Sequence, residues 1–245
     1  MATDPVVMTT AGKIRGVVDP ATGMRTWRGV PYGEPTGGKN RFSAPHAREP
    51  WSGTIDASTF AEPAMQGTYG WNDKVMGTED CLTLDIVRPD TDEELPVVVY
   101  IHGGTFLTGF SNEKVFQGHQ FAQATNIVYV SINFRLGVLG YLDMRSLGED
   151  CVATPATHDQ ILALQWVRDN IAAFGGNPDR VTNHGGVRRR KCSHRSHVIT
   201  AREGPVPRGN RAVRTRRRGA LAPPSRNVGA RTARRDGHVS LIDDY

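Results

Sequence analysis

Between Asn183 and Lys191 the chain changes character, and that change limits what it can fold into more than any other feature. Upstream, β-branched runs alternate with helix-forming stretches. From Arg188-Arg189-Arg190-Lys191 onward, arginine dominates. Residues 183–245 carry 15 Arg and one Lys against four acids, Glu203, Asp236, Asp243 and Asp244, a net of +12. The first 182 residues are net −7, so the whole-chain value of +5 averages two unlike segments. The tail has no Phe or Trp and a single Tyr, at its last position. It cannot bury enough apolar area to offset its ordering entropy, and disorder is the expectation for it.

A length of 245 residues suits one large domain or two small ones. The break favours one incomplete domain, residues 1–182, followed by a disordered basic tail, residues 183–245. Met1-Ala2-Thr3-Asp4-Pro5 lacks a basic region leading into an apolar one, and no run of 18 apolar residues occurs. A soluble, cytoplasmic chain without a membrane span is expected. Cys81, Cys151 and Cys192 are odd in number and widely spaced, against a disulfide framework or a structural zinc site. Cys192, His194 and His197 stand close together but lack a fourth ligand and a folded scaffold, so no metal and no cofactor is expected.

The body alternates strand and helix. Lys13–Val17 and Thr26–Val30 read as short strands around a turn at Asp19-Pro20 and Thr22-Gly23, a small antiparallel opening. Residues 31–78, rich in Pro and Gly, read as long surface loops. Pro96–Ile101 and Ile127–Ile132 are continuous apolar runs, as for strands buried on both faces of a parallel sheet. A helix over Val115–Ala124 between them would complete a strand–helix–strand crossover. From His158 to Phe174 apolar residues fall on more than one face, which predicts a buried helix with Thr157 as N-cap, stopped by Gly175-Gly176. Val181-Thr182 reads as a third central strand, cut short after two residues, that leaves an apolar edge.

His102-Gly103-Gly104-Thr105-Phe106 follows the first buried strand. Two glycines there let the backbone turn sharply and aim N–H groups into the crevice where open α/β sheets bind ligands. In acyl transfer such donors stabilise the tetrahedral oxyanion, and losing one raises the barrier by roughly 3–4 kcal/mol. An ordinary glycine turn has the same local appearance.

The surrounding motifs resemble one family. Glu79-Asp80-Cys81-Leu82-Thr83-Leu84-Asp85-Ile86 is similar to the E-D-C-L-x-L signature of type B carboxylesterases and cholinesterases. Arg28–Gly33, Pro96–Phe106, Asn133-Phe134-Arg135-Leu136-Gly137, Asp159–Val167 and Phe174-Gly175-Gly176-Asn177-Pro178 follow in the family's order. The resemblance covers residues 12–182. It implies an α/β-hydrolase fold, here the N-terminal part of its mixed, mostly parallel sheet with flanking helices. It further implies hydrolysis of small carboxylic esters through an acyl-enzyme formed by a Ser, His and Glu/Asp triad. Gly104 and Thr105 would supply oxyanion N–H groups, with Gly103 setting the turn. Thr105 stands where the family usually has Gly or Ala, and its β-branch narrows the loop. Asp80, Arg135 and Asp159 read as buried ion-pair or hydrogen-bond residues rather than catalytic ones. Cys81 reads as a small buried residue, and Trp71, Phe106 and Phe110 as packing or pocket-lining aromatics.

After Val-Thr the family continues with two residues and then G-E-S-A-G-G, the elbow that presents the nucleophile. Here Asn183-His184-Gly185-Gly186-Val187-Arg188 stands instead, and no G-x-S-x-G occurs anywhere. The triad acid and histidine belong to family regions farther on. The chain is therefore expected to be catalytically inactive, with no catalytic residue assignable. Ser193 beside His194 is adjacency in sequence, not the geometry of a nucleophile and its base. Gly185–Lys191 can be coded GGG GGA GTC CGC CGG CGG AA, and the same bases read one later give G-E-S-A-G-G. Thr200–Pro207 shifted likewise can give P-x-A-K-G-L-F, also family-like. A one-base frameshift near codons 183–186 explains both matches and the arginine excess. Two other readings stand beside it. One is a genuine fusion whose basic tail binds nucleic acid or an anionic surface without sequence specificity, since stacking aromatics are lacking. The other is a non-catalytic binding module on an esterase shell.

Overall fold

A computed structural model of the chain describes residues 4–67 and 74–185 and the backbone pairing of 199–200. Trp71, Cys192, Ser193, His194, His197 and the remaining residues after Gly185, apart from that pairing, lie outside the described residues. Twelve strands are present there: β1 (Val6–Met8), β2 (Lys13–Arg15), β3 (Val17–Val18), β4 (Arg25–Pro31), β5 (Thr54–Asp56), β6 (Gln66–Gly67), β7 (Val75–Met76), β8 (Thr83–Arg88), β9 (Leu95–Ile101), β10 (Val128–Ile132), β11 (Gly176–Gly185) and β12 (Ile199–Thr200). The helices are α1 (His119–Thr125), α2 (Gly137–Tyr141) and α3 (Pro155–Asn170), the last continuing into a 3-10 turn over Ile171–Phe174.

The main sheet runs β12-β11-β9-β10-β8-β4-β3. It is mixed: β11, β9 and β10 are parallel, whereas β8, β4 and β3 join antiparallel. The two continuous apolar runs are β9 and β10, adjacent and parallel with α1 between them, as a crossover requires. Of the expected antiparallel opening, Val17–Val18 pairs with Arg25 and Thr26 of β4, whereas Lys13–Arg15 joins a separate sheet between antiparallel β1 and parallel β5.

Further local expectations differ from the structure. Helix α1 begins at His119 rather than Val115, because Gly118 turns the chain at φ 78° and packs against the Tyr129 ring. Helix α3 begins at Pro155, with Thr154 as N-cap and Thr157 inside the first turn, since proline's fixed φ pre-forms the first helical position. It buries one stripe, Ala156, Asp159, Ala163, Trp166, Val167 and Asn170, while Ile161 is 49% exposed, so the helix is amphipathic rather than buried all round. Strand β11 does not stop at Thr182 but runs to Gly185, its edge polar with Asn177, Asp179, Arg180, Asn183 and His184, and β12 pairs with Thr182 and Asn183.

β8 is buried at all six positions although Thr83, Asp85 and Arg88 interrupt its apolar pattern. Each polar group has partners. Asp85 accepts from Gly29 N–H (2.7 Å) and the Ser111 hydroxyl (2.5 Å). Arg88 donates to the carbonyls of Pro89, Thr91, Glu93 and Phe174. A buried polar group so satisfied costs little compared with an orphaned one. Each sheet face has its own core: a larger one in which Trp27 lies edge-on to Phe174 at 5.0 Å and Trp166 at 5.7 Å from Phe174, and a smaller one around Met24, Val87, Tyr100, Ala122, Ile127 and Tyr129. No helix among the described residues is long and apolar enough to cross a membrane.

Candidate functional site

The loop that leaves β9, His102 to Gly109, is held from several sides. His102 is buried and stacked on Phe134, ring centroids 4.3 Å apart. Its Nδ1 lies 3.0 Å from Gly103 O. A carbonyl only accepts, so Nδ1 carries the hydrogen and Nε2 is a bare acceptor. That Nε2 is buried and has no hydrogen-bond partner among the described residues. Burial pushes the imidazole down to about 4, so the ring is neutral at pH 7.

Two peptide planes are thereby fixed. Because Gly103 O faces His102, the N–H on the same trans peptide, that of Gly104, points to the opposite side. Gly104 O accepts from Leu107 N–H and Thr108 N–H (both 3.1 Å), Thr105 Oγ1 (2.6 Å) and Thr108 Oγ1 (3.3 Å). The N–H of Thr105 consequently points away from that turn. Among the described residues neither N–H has a hydrogen-bond acceptor. Outward-facing neighbouring amides of this kind suit a developing negative oxygen.

The loop is strained as well as tied. Thr105 and Phe106, neither of them glycine, sit at φ 55° and 66°, a region costly for a β-branched side chain. Gly104, at φ 141°, packs so that a Cβ would strike Thr108 O. Phe106 lies against Tyr141, centroids 4.6 Å apart, and Phe106 O accepts from Gly137 N–H at 2.7 Å. Even so, Phe106 is 50% and Leu107 60% exposed. Phe110 is half-buried.

β9 and β11 end level. Gly185 is the register partner of Ile101, the residue before His102, and His184 stacks on Tyr100 at 6.0 Å. Gly185, the last described residue of β11, therefore lies level with the start of the His102–Gly109 loop.

The other residues of interest divide. Arg135 and Asp159 form a buried ion pair at 2.6 Å, and Arg135 also donates to the carbonyls of Arg41 and Ser43. This locks α3 to the loop after β10. Asp80, expected to be buried, is exposed, and the neighbouring Glu79 takes the ion pair with Arg41. Cys81 is buried, its thiol pushed up to about 12 by desolvation. Sequence reasoning missed Gln66, whose buried side-chain amide accepts from Gly109 N–H (2.8 Å) and donates to Gly109 O and Ala64 O (3.0 Å each). Nothing in the aperiodic stretch 31–78 signals it. No cluster of metal-ligating side chains occurs among the described residues.

A mixed sheet with this crossover, and a glycine turn at the carboxyl end of its parallel part, is the architecture of the α/β-hydrolase class. Within it, the carboxylesterase family model matches residues 3–187. The chain is 37% identical over 188 residues to the para-nitrobenzyl esterase of Bacillus subtilis (strain 168), covering 75% of this chain and 38% of that protein. It is 40% identical over 190 residues to the phenmedipham hydrolase of Pseudarthrobacter oxydans, 74% of this chain and 37% of the relative. A solved PNB esterase structure superposes with TM-score 0.69 and 38% identity, over 75% of this chain and 38% of that one. The chain belongs to the carboxylesterase family and spans a little over a third of the length of these relatives.

Proposed function

We propose that residues 1–182, with the end of β11 to Gly185, are the oxyanion-loop-bearing part of a carboxylic ester hydrolase, and that the chain in this reading frame is inactive. Gly104 and Thr105 N–H are the oxyanion donors, and Gly103 sets their turn. The observation that carries the reading is the register of Gly185 with Ile101. A serine two residues past Gly185, as in the G-E-S-A-G-G of the adjacent frame, would emerge beside those donors. In this frame Val187 occupies that position, and without a nucleophile the donors alone retain little rate enhancement. The substrate class is a small carboxylic ester, hydrolysed through an acyl-enzyme without a cofactor. The arginine-rich tail is the out-of-frame product of a one-base shift near codons 183–186.

The test is hydrolysis of p-nitrophenyl acetate by two proteins: this chain, and the product of the same gene read in the adjacent frame from codon 185. The expected result is background turnover for the first and serine-dependent turnover for the second. Turnover by this chain that survives purification and is abolished by Thr105→Pro, which removes one donor, would overturn the inactive assignment. An inert second protein would overturn the hydrolase reading.

A further inference from the structure

We propose that Gln66 is the positioning residue of the His102–Gly109 loop, holding from behind the turn that aims the Gly104 and Thr105 N–H groups. This rests on the oxyanion reading of those two groups. Gln66 lies in β6, which among the described residues pairs with β7, outside the main sheet. Its side chain is nevertheless buried, and it meets Gly109 at both ends: Oε1 accepts Gly109 N–H and Nε2 donates to Gly109 O. The second Nε2 hydrogen goes to Ala64 O. Both donors and the acceptor are thus engaged, and the amide has one orientation, since a flip would set N–H against N–H and oxygen against two carbonyls.

Gly109 transmits this hold. At φ 122° it packs so closely that a Cβ would strike Gly103 O and the His102 ring. Those atoms define the Gly103-Gly104 peptide plane through the 3.0 Å His102 Nδ1 contact. Thr108, one residue before Gly109, bonds Gly104 O and so defines the Gly104-Thr105 plane. With Thr105 and Phe106 in a costly backbone region, the loop needs an external restraint to keep that shape. Gln66 is placed to be that restraint, and its geometry is specific. A hydrophobic residue of similar length would fill the space and offer neither donor nor acceptor.

The experiment is amide hydrogen exchange, resolved by mass spectrometry on the full chain, for the unsubstituted protein, Gln66→Met and Gln66→Glu. In Gln66→Met, exchange over residues 102–109 should accelerate roughly tenfold or more, with β8, β10 and α3 unchanged. Gln66→Glu should behave like Met at about pH 8, where a carboxylate offers only acceptors to two carbonyls. It should regain protection at about pH 5, where the protonated acid offers a donor and an acceptor. Unchanged exchange over 102–109 in Gln66→Met would overturn the proposal. So would loss spread equally over the sheet in both variants, which marks a support of the whole fold. A second arm places Gln66→Met in the adjacent-frame protein, where kcat for p-nitrophenyl acetate should fall about tenfold or more with KM unchanged. Full kcat there also overturns the positioning role. If the unsubstituted adjacent-frame protein is itself inert, the hydrolase reading fails, and hydrogen exchange alone decides whether Gln66 sets the loop.

Discussion

The strand pair β8 and β10 and the loop after β9 solve opposite problems with the same kinds of groups. β8 carries Thr83, Asp85 and Arg88 into the interior and supplies each with partners, and α3 is fastened by the Arg135 and Asp159 pair. The loop leaves two N–H groups and the His102 Nε2 without acceptors or donors among the described residues, and holds two non-glycine residues at positive φ. β8 is polar-satisfied, although elsewhere in the sheet Trp27 Nε1, Arg28 Nε and Asn183 Oδ1 are buried without a partner among the described residues; the loop is polar-unsatisfied and strained. Unspent hydrogen-bonding capacity in a rigid setting is what a site that binds developing charge requires, and the sheet supplies the rigidity.

Substitutions should separate the two regions by sign as well as size. The largest effect belongs to the sheet side: Asp159→Ala leaves Arg135 buried without its acid and should cost about 3–5 kcal/mol in chemical denaturation. A loss under about 1 kcal/mol would mean that the pair does not fasten α3. Next, Ile132→Ala, at a fully buried position of β10, should cost about 2–4 kcal/mol.

Asp85 gives a pH signature. Burial lifts its carboxyl to about 6, from an ordinary value of 3.8, so folding favours the protonated form. Its contribution to stability is full below about pH 4, declines as pH rises toward about 6, and is flat above. His102 acts in the opposite sense, losing stability as pH falls from about 6.5 toward about 4. The difference between the unsubstituted chain and Asp85→Asn isolates the Asp85 part. Denaturant titrations at several pH values should find the variant gaining relative stability from about pH 4 to 6, by about 3 kcal/mol at most. A difference curve without slope would remove Asp85 from the account.

The smallest effect should fall in the loop, with inverted sign. Thr105→Gly relieves a β-branched residue at φ 55° and should leave stability unchanged or raise it by about 1 kcal/mol. A loss above that size, read by the same denaturation, would contradict the claim that the loop is strained.

How much was legible from sequence follows the same division. β9 and β10 announce themselves as apolar runs, with Ser131 of β10 the one serine among them, and the stop after α3 lies at Gly175 as expected. β8 was hidden because Asp85 and Arg88 look solvent-facing until their partners arrive from Gly29, Ser111 and Phe174, far away in sequence. The start of α3 was misplaced because Pro155 is a stronger signal than a hydroxyl two residues on. At the site, His102-Gly103-Gly104 was readable as a motif at a strand end. The hold on it was not, because Gln66 reaches Gly109 across 43 positions from a stretch with no periodicity. Asp80 misled for the converse reason, since a motif fixes an order of residues and not which of two adjacent acids turns inward.

The central claim is that the strand ending beside the oxyanion loop should have led into a nucleophile that this reading frame lacks. The coding DNA across codons 175–210, read from independent clones in all three frames, tests it most directly. The account predicts that the frame one base later carries G-E-S-A-G-G directly after His184, followed by an esterase-like continuation. Stop codons or unrelated residues in that frame would contradict it and leave the arginine-rich tail as genuine coding sequence.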